Sequence, residues 1–133
     1  MNIIQKTGLL LLTVALSTNA FAQERIGTLT NTKKSPETIA REIEEGKAYL
    51  VDVRTPEEYK EGHLNHSTNV DFKADDFKTR ISRLDKRKPI YLYCRSGNRS
   101  GKAADTLQVL GFSQAYNIGG FADLKAAGLP SSQ

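Results

Sequence analysis

Apolar positions along this chain recur with two periods, and their alternation predicts the architecture. Ile39 and Ile43 share a helical face between Ser35, a candidate N-cap followed by Pro36, and Gly46, a residue suited to a left-handed closing turn. A helix over about 36–45 follows. Ala48-Tyr49-Leu50-Val51-Asp52-Val53 is apolar at nearly every position, which predicts a strand buried on both faces, with Asp52 the exception to explain. Thr55-Pro56-Glu57-Glu58 has the capping-box form and starts a short helix to about Lys60, ended by Gly62. Thr68 to Val70 gives a short strand. Phe77, Ile81 and Leu84 mark a helix face, and Ile90 to Tyr93 forms a strand after Pro89. Ala103, Leu107 and Leu110 then define an amphipathic helix closed by Gly111. A strand over Ala115 to Ile118, a Gly119-Gly120 turn and a short helix around Phe121 to Ala127 complete the pattern. Strands alternating with helices predict an α/β domain: an open, mainly parallel sheet of about five strands with helices on both faces.

Ahead of this pattern, Met1 to Ala22 has the layout of a secretory signal peptide. Lys6 supplies the positive region, Gly8 to Leu16 an apolar run too short to span a bilayer, and Ala20-Phe21-Ala22 a small-x-small cleavage pattern. Cleavage is expected before Gln23, leaving a single domain over 23–133, a bacterial periplasmic address and no stable membrane insertion. An uncleaved anchor or an interfacial helix is the alternative, disfavoured because Ser17, Thr18 and Asn19 end the apolar run early. Losing Lys6 from 19 basic residues leaves 18 against 15 acidic ones, a net charge of +3. No basic run is interleaved with aromatics, so a nucleic-acid partner is not supported, and a small anionic substrate fits better. The absence of an exposed apolar stripe favours a monomer.

Cysteine usage narrows the chemistry. One Cys in an exported chain cannot form an internal disulfide, so Cys94 is a free thiol. Composition alone favours inert burial. Position argues otherwise, because Cys94 follows a predicted parallel strand, at the sheet end where ligands collect. The segment Cys94-Arg95-Ser96-Gly97-Asn98-Arg99-Ser100 is polar, contains a Gly able to take positive φ, and leads into a helix. Such a loop turns backbone N–H groups inward as an anion-binding nest. Amides, the helix dipole, Arg95 and Arg99 are expected to stabilise a thiolate, as in settings that lower a Cys pKa from about 8.5 to roughly 3.5–7.5. Two arginines at a helix start are unfavourable without an anion, which makes ligand binding the better reading for Arg99 and leaves Arg95 even. Ser96 and Ser100 can donate to the sulfur or an anion, or serve only as caps. A thiol that ionises like an ordinary cysteine, or a sulfur packed away from solvent, would defeat this reading.

These segments resemble a known family. Val51-Asp52-Val53-Arg54 with Thr55-Pro56-Glu57-Glu58-Tyr59, Gly62-His63-Leu64, Tyr93-Cys94-Arg95-Ser96-Gly97-Asn98-Arg99-Ser100 and Asn117-Ile118-Gly119-Gly120-Phe121 occur in the order found in single-domain rhodaneses. The chain is most similar to the periplasmic phage-shock-protein-E-like group, a bacterial stress-response setting. The resemblance implies a thiosulfate sulfurtransferase in which Cys94 takes the outer sulfur of thiosulfate, releases sulfite, and passes its persulfide to cyanide or another thiophile such as a thiol. It implies no metal or organic cofactor. Residues 95–100 are the implied substrate-binding loop. Asp52 and Arg54 match an Asp-x-Arg element and read best as a supporting ion pair that shapes the loops. Attack at sulfur by a thiolate needs no general base, so His63 and His66 are read as structural or surface residues. Asn65-His66 and Leu124 depart from the Pro-Gly and Trp common among relatives, which bears on the pocket rim.

Two rivals remain. Phosphatases and arsenate reductases also set a low-pKa Cys and an Arg around an oxyanion, but related cell-cycle phosphatases have five residues between them. Here four separate Cys94 from Arg99, a smaller ring suited to one sulfur atom. A non-catalytic module that recognises a partner protein is the other. Inactive relatives usually lack the Cys retained here.

Overall fold

The computed structural model describes residues 32–133, so the expected signal peptide and its cleavage point lie outside the described residues. Helix α1 spans Pro36–Glu44, with the Ser35 side chain accepting from the Thr38 amide, and Gly46 follows at φ +71°. Strand β1 (Tyr49–Asp52) leads to α2 (Pro56–Glu61), where both halves of the Thr55–Glu58 capping box form. Two short strands, β2 (His63–Leu64) and β3 (Ser67–Asn69), precede α3 (Phe77–Ile81). Then come β4 (Ile90–Cys94), α4 (Asn98–Val109), β5 (Ala115–Gly120), α5 (Phe121–Ala126) and β6 (Ser131–Ser132).

Among the described residues the main sheet has four strands in the order β3-β1-β4-β5, all parallel, against the expected five or so. The other two strands form a separate antiparallel pair, β2 with β6, of two residues each. Alternation along the central strands explains the continuous apolar runs. Val51, Ile90, Leu92 and Cys94 turn to one face, against Phe77 and Ile81 of α3 and Ala103, Ala104 and Leu107 of α4. Leu50, Tyr91, Tyr93 and Ile118 turn to the other, against Ile39 and Ile43 of α1 and Leu124 of α5. Both faces are therefore dry, as a parallel sheet requires.

Two boundaries differ from expectation in ways that matter for the site. Cys94 is the last residue of β4 and not the first of the loop. Gly119 and Gly120 are not a turn but the end of β5. Leu92 pairs with Asn117 while Tyr93 pairs with Gly119, so Ile118 is an extra residue, and Gly120 comes beside Cys94. A Cβ on Gly120 would lie 2.6 Å from the Arg95 carbonyl oxygen. Only glycine lets the strand run this close under the loop.

Candidate active site

The site is built where β4 gives way to α4. Gly97, at φ +91°, reverses the chain above the sheet end and serves as the α4 N-cap residue. That left-handed turn aims its amide back at the strand: Gly97 N–H donates to Cys94 Sγ at 3.0 Å. One turn into α4, the Ser100 hydroxyl approaches the same sulfur at 3.3 Å. Burial raises the Cys94 pKa, but bonds from the Ser100 side chain and the amides of Ser100, Ser96 and Gly97 outweigh it, and the net direction is downward.

The sulfur is nonetheless enclosed. Cys94 has 0% exposure, and so does Ser100, which departs from the accessible thiol the chemistry called for. The cover is the loop itself, of which Arg95, Ser96 and Asn98 are exposed and Gly97 and Arg99 half-buried. Cys94 belongs to the apolar cluster of its sheet face, but unlike an inert core Cys its sulfur also receives an N–H and an O–H.

The two loop arginines separate. Arg99 does not wait for an anion: its Nη1 and Nη2 bond Glu58 Oε1 and Oε2 at 2.7 and 2.9 Å. Arg99 holds the Glu58 carboxyl down at about 2, well below its ordinary value. Arg95 is exposed and, among the described residues, has no ion-pair partner. It helps line a cleft of about 380 Å³ with Arg54, Glu58, Glu61, Gly62, Phe121 and Ala122. Cys94 does not contribute to that wall.

Asp52 and Arg54 form the expected pair. Arg54 Nε and Nη2 meet Asp52 Oδ1 and Oδ2 at 3.0 and 2.6 Å, Nη2 also reaches the Gly62 carbonyl at 2.7 Å, and both side chains are buried. The guanidinium lies 4.4 Å from the centre of the Phe121 ring. Burial lowers the Arg54 pKa, yet the Asp52 bond and charge outweigh it and the net direction is up. The pair thus anchors the cleft floor. His63 stacks on Tyr59 at 3.8 Å with its Nδ1 at the Tyr59 carbonyl, a structural position. His66 is exposed at φ +66°. Neither suspected departure reaches the cleft. Leu124 is buried in the core under α5, and Asn65 and His66 border a separate pocket with Leu129 and Pro130.

Sequence reasoning gave Asn117 and Glu58 no part in the site. Asn117 Nδ2 donates to the Gly97 carbonyl at 3.0 Å, while its Oδ1 faces the Ser100 hydroxyl at 2.8 Å and accepts from Gly119 N–H at 3.0 Å. A signal was present, since Asn is unfavourable inside a strand and needs a reason to be there.

Residues 35–127 match the family described as Rhodanese-like domain. The chain belongs to that family. Among similar proteins, "Uncharacterized protein YqhL" of Bacillus subtilis (strain 168) is 42% identical over 76 residues, 56% of this chain and 59% of that one. The match therefore spans less than two thirds of that relative's length. "Thiosulfate sulfurtransferase PspE" of Escherichia coli (strain K12) is 33% identical over 78 residues, 57% of this chain and 73% of that one. A solved structure described as "rhodanese with anions from E. coli" superposes with a TM-score of 0.56 at 28% identity, covering 65% of this chain and 98% of its own. The rhodanese-like domain here accordingly has the family's α/β architecture and relatives named as thiosulfate sulfurtransferases.

Proposed function

We propose that this rhodanese-like domain is a thiosulfate sulfurtransferase that carries sulfur on Cys94. The observation that supports it is the donation of Gly97 N–H and Ser100 O–H to Cys94 Sγ itself, at the end of a parallel strand. Donors aimed at the sulfur favour its anionic form, the species that attacks sulfur. In the first step the thiolate forms a bond to the outer sulfur of thiosulfate. The S–S bond of thiosulfate breaks, and its electron pair leaves with sulfite. In the second, cyanide or a thiolate takes the outer sulfur and the electron pair returns to Sγ, restoring the thiolate. Charge is conserved in each step, and no base or metal is needed. Arg95, at the exposed mouth of the cleft, is the loop cation left to meet an incoming anion. Arg99 and the Asp52–Arg54 pair keep the loop in shape.

Mass spectrometry of the folded protein after incubation with thiosulfate tests this reading. The expected result is a gain of one sulfur atom that is lost on adding cyanide, with thiocyanate appearing and a phosphate ester left intact. An unchanged mass, or the same gain on Cys94→Ser, defeats it. One observation favours a second reading, a non-catalytic module that binds a partner protein: Cys94 has no exposed surface. An unchanged mass would leave that reading standing. Export to the periplasm belongs to the same proposal, and N-terminal sequencing of periplasmic material should begin at Gln23.

A further inference from the structure

The Ser100 hydroxyl has two neighbours and one proton. Cys94 Sγ lies 3.3 Å from Ser100 Oγ and Asn117 Oδ1 lies 2.8 Å from it. The second neighbour cannot turn away. Asn117 Nδ2 is held by the Gly97 carbonyl and Oδ1 by the Gly119 amide, so reversing the side-chain amide would set donor against donor and acceptor against acceptor. Gly101 leaves room for it: a Cβ there would come within 3.3 Å of Nδ2. Asn117 therefore presents a fixed acceptor to a hydroxyl that also faces the reactive sulfur. β-strand alternation from Ala115, opposite Ile90, to Asn117, opposite Leu92, puts it there, on the sheet face that carries Cys94.

We propose that Asn117 is a positioning residue that takes the Ser100 proton whenever Sγ is uncharged and releases it whenever Sγ is a thiolate. This rests on the reading of Cys94 as the sulfur carrier. In that cycle the charge on Sγ comes and goes: it is present in the resting thiolate, moves to the outer sulfur in the persulfide, and returns when the acceptor leaves with that sulfur. A donor locked onto Sγ would oppose persulfide formation, and a donor without a second partner would be left unsatisfied in a fully buried position. With Asn117 opposite, Ser100 rotates about its Cβ–Oγ bond and is bonded in both states. Within Ser100 only the hydroxyl hydrogen has to move.

The test is the midpoint pH of Cys94 alkylation by iodoacetamide, followed by intact mass, in four proteins: the unaltered chain, Asn117→Ala, Ser100→Ala and the double variant. No sulfur donor is used, so this result stands apart from that of the thiosulfate experiment. Asn117→Ala also removes the brace on the Gly97 carbonyl, but that loss is the same with or without Ser100. If Asn117 serves the uncharged state through Ser100, Asn117→Ala moves the midpoint to lower pH with Ser100 present than the same change does in the Ser100→Ala background. A difference of about half a unit or more is expected for one hydrogen bond. Asn117→Asp, a stronger acceptor and the second variant should Ala not fold, gives a difference of the opposite sign. Equal shifts in both backgrounds would overturn the proposal and reduce Asn117 to a brace.

Discussion

Glu58 grips Arg99 through two parallel hydrogen bonds of 2.7 and 2.9 Å, joining the cap of α2 to the first turn of α4. The same carboxylate faces the Thr55 amide and hydroxyl at 3.4 and 3.2 Å. One side chain thus closes a helix and clamps the loop over Cys94.

Glu58→Gln should lower stability by about 1–2 kcal/mol near neutral pH, since it weakens a charge-assisted pair that is only partly exposed. The pH dependence has a definite sign. Glu58 has a folded pKa of about 2, below its ordinary 4.5. Its contribution is therefore complete above the ordinary value and is lost as pH falls through the folded one. Urea unfolding at steps from neutral pH to about pH 2 should show the two proteins converging as acid is added. A gap that stays constant would mean that the charge on Glu58 contributes nothing.

Arg54→Ala should cost more, about 3–5 kcal/mol, because it leaves the fully buried Asp52 carboxylate unpaired. It also frees the Gly62 carbonyl and uncovers the Phe121 ring. An unfolding free energy from denaturant titration within about 1 kcal/mol of the unaltered protein would show that backbone bonds such as Arg54 N–H to Asp52 Oδ1, at 2.9 Å, suffice to hold Asp52.

How far the sequence foretold these features depends on whether their cause is local. The Ser35 and Thr55 caps, the Gly97 reversal and the strand containing Tyr91 and Leu92 all follow from neighbours a few residues away, and each formed as expected. The Asp52–Arg54 pair was legible for the same reason, being two residues apart. The Arg99–Glu58 pair was not legible because its partners lie 41 residues apart and Glu58 already had a local explanation as a cap residue. Asn117 escaped notice because its role needs the β4–β5 register, which sets it beside Leu92 and under Ser100. Enclosure of Cys94 was illegible too, since polarity marks a loop as solvated without saying whether it folds back on what lies beneath.

Gly120→Ala should destabilise the domain by about 1–3 kcal/mol through overpacking. A methyl group there meets the Arg95 carbonyl oxygen at 2.6 Å and the Ser96 Cα at 3.3 Å, and both are backbone atoms that cannot rotate aside. Lifting the loop should also loosen the Gly97 bond to Sγ, so the alkylation midpoint of Cys94 should rise in the same variant. Gly46→Ala is the control, because nothing lies within 4 Å of its added Cβ and its positive φ is far from the site. It should cost some stability and leave the midpoint unchanged.

Cys94 itself yields two separable observables, because ionisation and access are different properties of one sulfur. Ionisation fixes the midpoint of the alkylation profile. The bonds from Ser100, Ser96 and Gly97 outweigh burial, so the midpoint should lie below that of an ordinary thiol, and Ser100→Ala should raise it. Access fixes the plateau above the midpoint. With no exposed surface, the sulfur reacts only when the loop parts, and the plateau rate should lie well below that of a free cysteine thiolate. Glu58→Gln releases the clamp on Arg99 and should raise the plateau several-fold while moving the midpoint little. If the plateau already matches that of free cysteine, the loop is open in solution and the enclosure seen around Cys94 does not limit its chemistry. If the midpoint is ordinary, the donors around the sulfur do not favour the thiolate, and Cys94 is better described as a buried residue of the core.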